Sequence, residues 1–138
     1  MIPFADLTQQ IVATGARRVL LVPPDHTRLH SRGGEIVAGL VQALDGQLEQ
    51  LDVMPALGTH RALGPAEAEL LFGDVIPAER LLVHDWREGV TQVGEIPAEE
   101  VDELLERPLG LSLPFLLADS VADGSYDLVV AAGQVVPH

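Results

Sequence analysis

The sequence predicts an α/β fold: a Rossmann-like, mostly parallel sheet flanked by helices, with an antiparallel edge strand or hairpin. Three observations carry that expectation. Val19-Leu20-Leu21-Val22, Val53-Met54-Pro55-Ala56-Leu57 and Leu128-Val129-Val130-Ala131-Ala132 are continuous rather than alternating apolar runs, the pattern of strands covered on both faces. Segments of helical periodicity separate them, as parallel strands require. Each run also leads into polar residues: Pro23-Pro24-Asp25-His26-Thr27-Arg28, then Gly58-Thr59-His60, then Gly133-Gln134-Val135-Val136-Pro137-His138. Ligands of open α/β sheets bind beyond the carboxyl ends of the strands. These tips are therefore expected to bring an aspartate, an arginine and two imidazoles around one hollow.

Taken in order, Ala5 to Thr14 carries Leu7, Ile11 and Val12 at helical spacing, and Gly15 stops that helix. Arg18 to Val22 is the first strand, ended by Pro23-Pro24. After the Asp25-Arg28 turn a second helix starts at Ser31 or Arg32, with Gly33-Gly34 loosening its entry. Ile36, Val37, Leu40, Val41 and Leu44 line one face of it, and Asp45-Gly46 closes it. Leu48 to Leu57 supplies the second strand, and Gly64 to Phe72 a third helix, with Pro65 in its first turn and Gly73 after its end. Arg80 to His84 reads as a third strand, followed by the polar turn Asp85-Trp86-Arg87-Glu88-Gly89. Val90 to Ile96 alternates apolar and polar residues, the mark of a half-buried strand at an edge or in a hairpin. Pro97-Ala98-Glu99-Glu100 opens an acidic helix through Glu106, its carboxylates at the positive end of the dipole. Leu109 to Gly124 is apolar but broken by Pro108 and Pro114, and no element is assigned there; Tyr126 to Ala132 is the last strand.

With 138 residues, 47% of them hydrophobic, the chain is expected to form one domain, residues 1–138. The stop at His138, directly after a buried-looking strand, suggests part of a longer protein whose remainder would be its partner. No run of 18 or more apolar residues exists and the N-terminus has no basic or apolar leader pattern, so a soluble, cytoplasmic protein with no membrane association is expected. The formal charge of -13 repels phosphate backbones and argues against nucleic acid. There is no cysteine, which excludes disulfides, thiolate metal sites and cysteine nucleophiles. All eight basic residues are arginine, so neither a Schiff base nor a P-loop lysine can come from this segment. Gly-x-Gly-x-x-Gly, P-loop and Gly-x-Ser-x-Gly patterns are missing, which removes the key element of conventional dinucleotide, nucleoside-triphosphate and serine-hydrolase sites.

The chemistry-bearing residues cluster at the strand ends. Asp25 and Arg28, three apart, suit a guanidinium holding a carboxylate or phosphate while the Asp orients a hydroxyl or cationic ring; the structural alternative is an Asp25-Arg28 salt bridge with Asp25 capping the turn. Gly58 allows close approach of backbone to a ligand, and His60 offers an imidazole that exchanges protons near neutral pH; a loop-surface histidine is the plain alternative. His138 repeats that arrangement at the chain end. His84-Asp85 is read as structural, because neighbours on a strand face opposite ways, with Trp86 packing. His26, His30 and His60 have the residue types of a metal site but no ligand spacing, so no metal ligand is assigned.

Together, Pro24-Asp25-His26-Thr27-Arg28, Ala56-Leu57-Gly58-Thr59-His60-Arg61, Val83-His84-Asp85-Trp86-Arg87 and Gly133-Gln134-Val135-Val136-Pro137-His138 resemble the N-terminal domain of the lactate racemase family, the nickel-pincer-nucleotide enzymes. The match runs in order over residues 18–138. The resemblance implies a 2-hydroxyacid racemase or epimerase in which two histidines on opposite faces of the substrate exchange its hydroxyl proton and the pincer cofactor carries hydride. It implies His60 and His138 as those catalytic histidines, and Asp25, Thr27, Arg28, Gly58 and Thr59 as residues against cofactor and substrate. The family's tethering lysine and nickel-ligating histidine would lie beyond residue 138, so this segment alone is expected to be inactive. Leu29-His30-Ser31 replaces the proline that the family carries after Asp-x-Thr-Arg, which opens the substrate to a larger or more polar 2-hydroxy acid. Two other classes stay in view: a small-acid or nucleotide binding module on the same fold, and a metal-dependent hydrolase or lyase using His26, His30 and His60.

Overall fold

Val19, Leu20 and Leu21 have no exposed surface at all, and a strand hidden on both faces belongs at the centre of a sheet. The computed structural model of the protein describes residues 4–134. Its elements run α1 (Phe4–Ala13), β1 (Arg18–Val22), α2 (Gly33–Leu44), β2 (Gln50–Val53), α3 (Pro65–Phe72), β3 (Val90–Ile96), α4 (Ala98–Glu103), β4 (Leu113–Ala118), α5 (Asp119–Ala122) and β5 (Leu128–Ala131), with 3-10 turns at His26–Ser31 and Ala78–Arg80. They fall into two compact units, one of Met1–His84 and Tyr126–His138, the other of Asp85–Ser125. No helix among the described residues is long and apolar enough to cross a membrane.

In the first unit β1 lies between β2 and β5, parallel to both. Val19 and Leu21 face a cluster built from Val37, Leu40, Val41 and Leu44 of α2, Ile11 of α1, Val53 of β2 and Phe72 of α3. Each fully buried leucine or valine in it contributes about 1.5–3 kcal/mol. The starts of the strands are tied by polar groups: Asp127 accepts from the backbone of Arg17 and Arg18 at 3.0 and 2.9 Å and from the Arg18 guanidinium at 2.7 Å. Asp52, buried in β2, accepts from Tyr126 Oη and Gln50 Nε2, both at 2.7 Å. Tyr126→Phe removes one of the two and leaves a buried carboxylate under-bonded. A loss of about 1–3 kcal/mol in denaturant unfolding is expected, and an unchanged midpoint would deny that bond any weight.

The first strand and the Val90–Ile96 strand have the expected bounds. Arg80 to His84 does not form the expected strand: Ala78–Arg80 closes a 3-10 turn, and the residues after it add only one parallel bridge, Val53 to Leu81, with Leu82 N donating to Val53 O at 2.8 Å. The second strand is shorter than expected, but its pairing beside β1 resumes at Pro24 and Ala56. Gly33 and Gly34 do not loosen the helix entry either. Both are buried, and a Cβ on them would lie 2.6 Å from Pro24 Cδ and 2.4 Å from Leu71 O respectively, so they are small in order to let α2 pack.

In the second unit β3 and β4 pair antiparallel, so the expected hairpin-type element finds its partner in the apolar, proline-broken stretch to which the sequence assigns no element. Pro114 is tolerated within β4 because both strands of a two-stranded sheet are edges. Asp85 accepts from the backbone N–H groups of Arg87 and Glu88 at 3.0 and 3.2 Å, and the Arg87 guanidinium stacks 3.9 Å from the Trp86 ring centroid. Asp85 thus caps a turn, in keeping with the structural reading of this motif.

Candidate active site

The register of the parallel sheet decides which loops meet. Leu21 is paired with Val53 and, three residues on in each chain segment, Pro24 with Ala56; Met54 N donates to Leu21 O at 2.9 Å and Ala56 N to Pro23 O at 2.8 Å. The loops leaving these two positions start side by side. One begins with Asp25. The other turns at once, since Gly58 takes a left-handed φ of 57° and His60 N donates to Leu57 O at 2.9 Å. No atom lies near the position a Cβ would take on Gly58, so the turn, rather than a close neighbour, is what asks for glycine here.

Asp25 and His60 meet across these loops, His60 Nδ1 lying 2.5 Å from Asp25 Oδ2. The other carboxylate oxygen accepts from Thr27 N at 3.0 Å and Thr27 Oγ1 at 2.6 Å, which makes Asp25 the cap of the 3-10 turn His26–Ser31. Asp25 is 3% exposed, whereas the His60 side chain is 55% exposed. Burial alone pushes the Asp25 carboxyl upward, but the hydrogen bonds from the Thr27 hydroxyl, His60 and Thr27 N, with the imidazole's charge, outweigh it and hold it below its ordinary value. A carboxylate kept ionised and aimed at Nδ1 fixes the proton on that nitrogen and leaves Nε2 free for exchange. One buried anion orients one exposed imidazole.

Arg28 does not form the salt bridge with Asp25 that its spacing allows. Among the described residues it makes no ion pair. It lines instead a cleft of about 520 Å³ with His30, Pro24, Ala56, Ala131 and Gln134, at the carboxyl ends of β1 and β5. A guanidinium without a carboxylate partner at the end of a parallel sheet suits a carboxylate or phosphate ligand. Thr59 is exposed on the same turn as His60. His138 lies outside the described residues. An apolar hollow of about 480 Å³ elsewhere in this unit, walled by Leu57, Leu63, Ile76 and Val83 among others, has no imidazole on its walls.

The three histidines considered as a metal set have separate surroundings. His60 is bonded to Asp25, His26 Nε2 lies 3.3 Å from Glu67 Oε1, and His30 lines the cleft; no group of three or more His, Cys, Asp or Glu among the described residues is placed to hold a metal ion. Glu67 is the residue that sequence reasoning passed over. Its carboxylate takes both Nη atoms of Arg61, at 2.8 and 2.6 Å, and the backbone N–H of Gly64 at 2.8 Å, three residues before it. A glutamate at the third position of a helix is a capping signature, but its partners Arg61 and His26 carry no such signal. Hydrogen bonds from Arg61, then from Gly64 N, hold the Glu67 carboxyl at about 2 against the usual 4.5. The fold therefore favours its charged form, and its contribution to stability is complete above about pH 4.5 and lost as the pH falls through about 2. Glu67→Gln is expected to be less stable than the parent at neutral pH and to approach it on acidification, a convergence that urea unfolding at several pH values would read.

The family model described as the lactate racemase N-terminal domain matches residues 3–111. No curated protein matches the chain in a direct comparison. Among solved structures, a Thermotoga maritima protein is similar at a TM-score of 0.75 and 23% identity, over 93% of this chain and 31% of its own. The lactate racemase apoprotein from Thermoanaerobacterium thermosaccharolyticum is similar at a TM-score of 0.59 and 19% identity, over 95% of this chain and 28% of its own. At such identities these structures speak for the fold. The chain spans under a third of either.

Proposed function

The chain belongs to the lactate racemase N-terminal domain family, and from that premise we propose that it is the proton-handling part of a 2-hydroxyacid racemase or epimerase. The observation that carries this reading is the 2.5 Å contact between His60 Nδ1 and the buried carboxylate of Asp25. With Nδ1 committed to Asp25, Nε2 of His60 takes the substrate hydroxyl proton and returns it. Arg28 receives the substrate carboxylate or an anionic group of the cofactor at the cleft. His138 is assigned the same role as His60 on the other face of the substrate, so that either configuration finds a base.

A nickel-pincer nucleotide is the cofactor this family implies. The cleft suits an anionic group, with Arg28 unopposed by a carboxylate among the described residues and His30 beside it, and Asp25, Thr27, Arg28, Gly58 and Thr59 are the residues proposed to lie against the cofactor. When bound, the group supplies the acceptor for hydride from the α-carbon. This chain has no lysine, so it offers no amine to tether the group. The protein's own part is to bind the acid, orient the imidazole and move the hydroxyl proton.

The test is racemisation of enantiopure 2-hydroxy acids, from lactate to larger and more polar ones, by the full natural protein loaded with cofactor. Turnover of at least one acid is expected. A binding module on the same fold is the second reading, favoured by an Arg28 that has no ion pair among the described residues, and it is the outcome if acids or nucleotides bind in calorimetry and none is turned over.

A further inference from the structure

The residues next to Asp25 and His60 in the chain, His26 and Arg61, converge on one carboxylate. Glu67 Oε1 lies 2.6 Å from Arg61 Nη2 and 3.3 Å from His26 Nε2, and Oε2 lies 2.8 Å from both Arg61 Nη1 and Gly64 N. The Glu67 side chain is 20% exposed and sits in the first turn of α3. The Nδ1 atom of His26 is buried with no hydrogen-bond partner among the described residues, so the contact to Glu67 is the polar anchor of that ring.

We propose that Glu67 is a positioning residue that grips both strand-end loops and so holds His60 against Asp25. The geometry gives it that reach: its four contacts fall on the loop of Asp25, the loop of His60 and the start of α3. A carboxylate serving only as a helix cap needs Gly64 alone. Glu67 turns two separately anchored loops into one frame, and a frame is what fixes the tautomer of an exposed imidazole. The importance of that tautomer for turnover rests on the racemase reading; the mechanical claim does not.

The experiment reads the ring nitrogens of His60 by ¹⁵N NMR through its carbon-bound protons, above neutral pH, in the 138-residue chain. The parent is expected to hold His60 with the proton on Nδ1. Glu67→Ala and Arg61→Ala are each expected to shift the ratio of Nδ1–H to Nε2–H by roughly tenfold toward the Nε2–H form that a free imidazole prefers, with Glu67→Gln in between. Arg61→Ala is the sharper variant, because it leaves the Gly64 cap and the His26 contact in place; it decides the matter alone if Glu67→Ala does not fold. An unchanged ratio in Arg61→Ala reduces Glu67 to a cap and overturns the proposal, and so does a parent whose His60 already carries its proton on Nε2. Racemisation is not part of this readout, so the clamp and the proposed activity can fail independently.

Discussion

Racemisation by the loaded, full natural protein is expected to fall by about 10²–10⁴-fold when His60 is replaced by alanine, the range that a positioned acid-base group supplies. The proposed role of His60 depends on Asp25. An imidazole 55% exposed on a loop samples both tautomers and several orientations unless something buried holds it. Asp25 is buried, held below its ordinary pKa and 2.5 Å from Nδ1, an arrangement that favours the tautomer with Nε2 free. Asp25→Asn keeps the shape and removes the charge. A smaller loss, about 10–100-fold, is expected from it, as for other groups that orient a functional imidazole. His138→Ala is expected to match His60→Ala, because a racemase needs a base for each configuration. Circular dichroism of the variants separates loss of fold from loss of chemistry. Full turnover in both histidine variants would end the racemase assignment of these residues.

How much of the fold was legible in the sequence depends on the range of each physical signal. Continuous apolar runs report burial on both faces, and the strand bounded by Arg18 and Val22 lies where that pattern puts it. Arg80 to His84 has the same local pattern, yet it forms only one bridge to Val53, because whether an apolar segment pairs depends on the neighbour it finds. Leu113 to Ala118 failed in the other direction: Pro114 hid a strand that an edge position tolerates. Of the residues expected around one hollow, Asp25 and His60 meet, but neither lines the cleft that Arg28 lines, and His138 lies outside the described residues. The direct bond between Asp25 and His60 was not foreseeable. Asp25 had a nearby arginine at plausible spacing, and nothing local says that the carboxylate prefers a ring 35 residues away. The Glu67 frame was still less visible, since its partners are fixed by the pairing register beyond β1 and β2.

A large loss of stability from adding one methyl group is expected at Gly33, and it ties the core to the site. A Cβ there would stand 2.6 Å from Pro24 Cδ and 2.7 Å from Ala132 O. Neither neighbour is the loose end of a side chain. Pro24 Cδ is locked into a ring on the backbone, and Ala132 O belongs to the segment that continues β5, with Ala132 N bonded to Val22 O at 3.0 Å. Relief requires α2 to move away from the strand ends, so Gly33→Ala is expected to cost about 2–3 kcal/mol in denaturant unfolding. Gly15→Ala provides the contrast: its φ of 74° is unfavourable for alanine, but no atom lies within 4 Å of the new methyl, and about 1 kcal/mol is expected. The two costs differ in kind, since strain at Gly15 stays local while the displacement at Gly33 passes to Pro24, the residue before Asp25, and to Ala132, the residue before the cleft segment Gly133-Gln134. Gly33→Ala should therefore also loosen the Asp25–His60 contact, visible as a shift of the His60 ring toward the Nε2–H tautomer, while Gly15→Ala leaves that ring alone. Equal stability losses at the two glycines, or a His60 ring indifferent to both, would mean that the close approach of α2 to the strand tips does not shape the site.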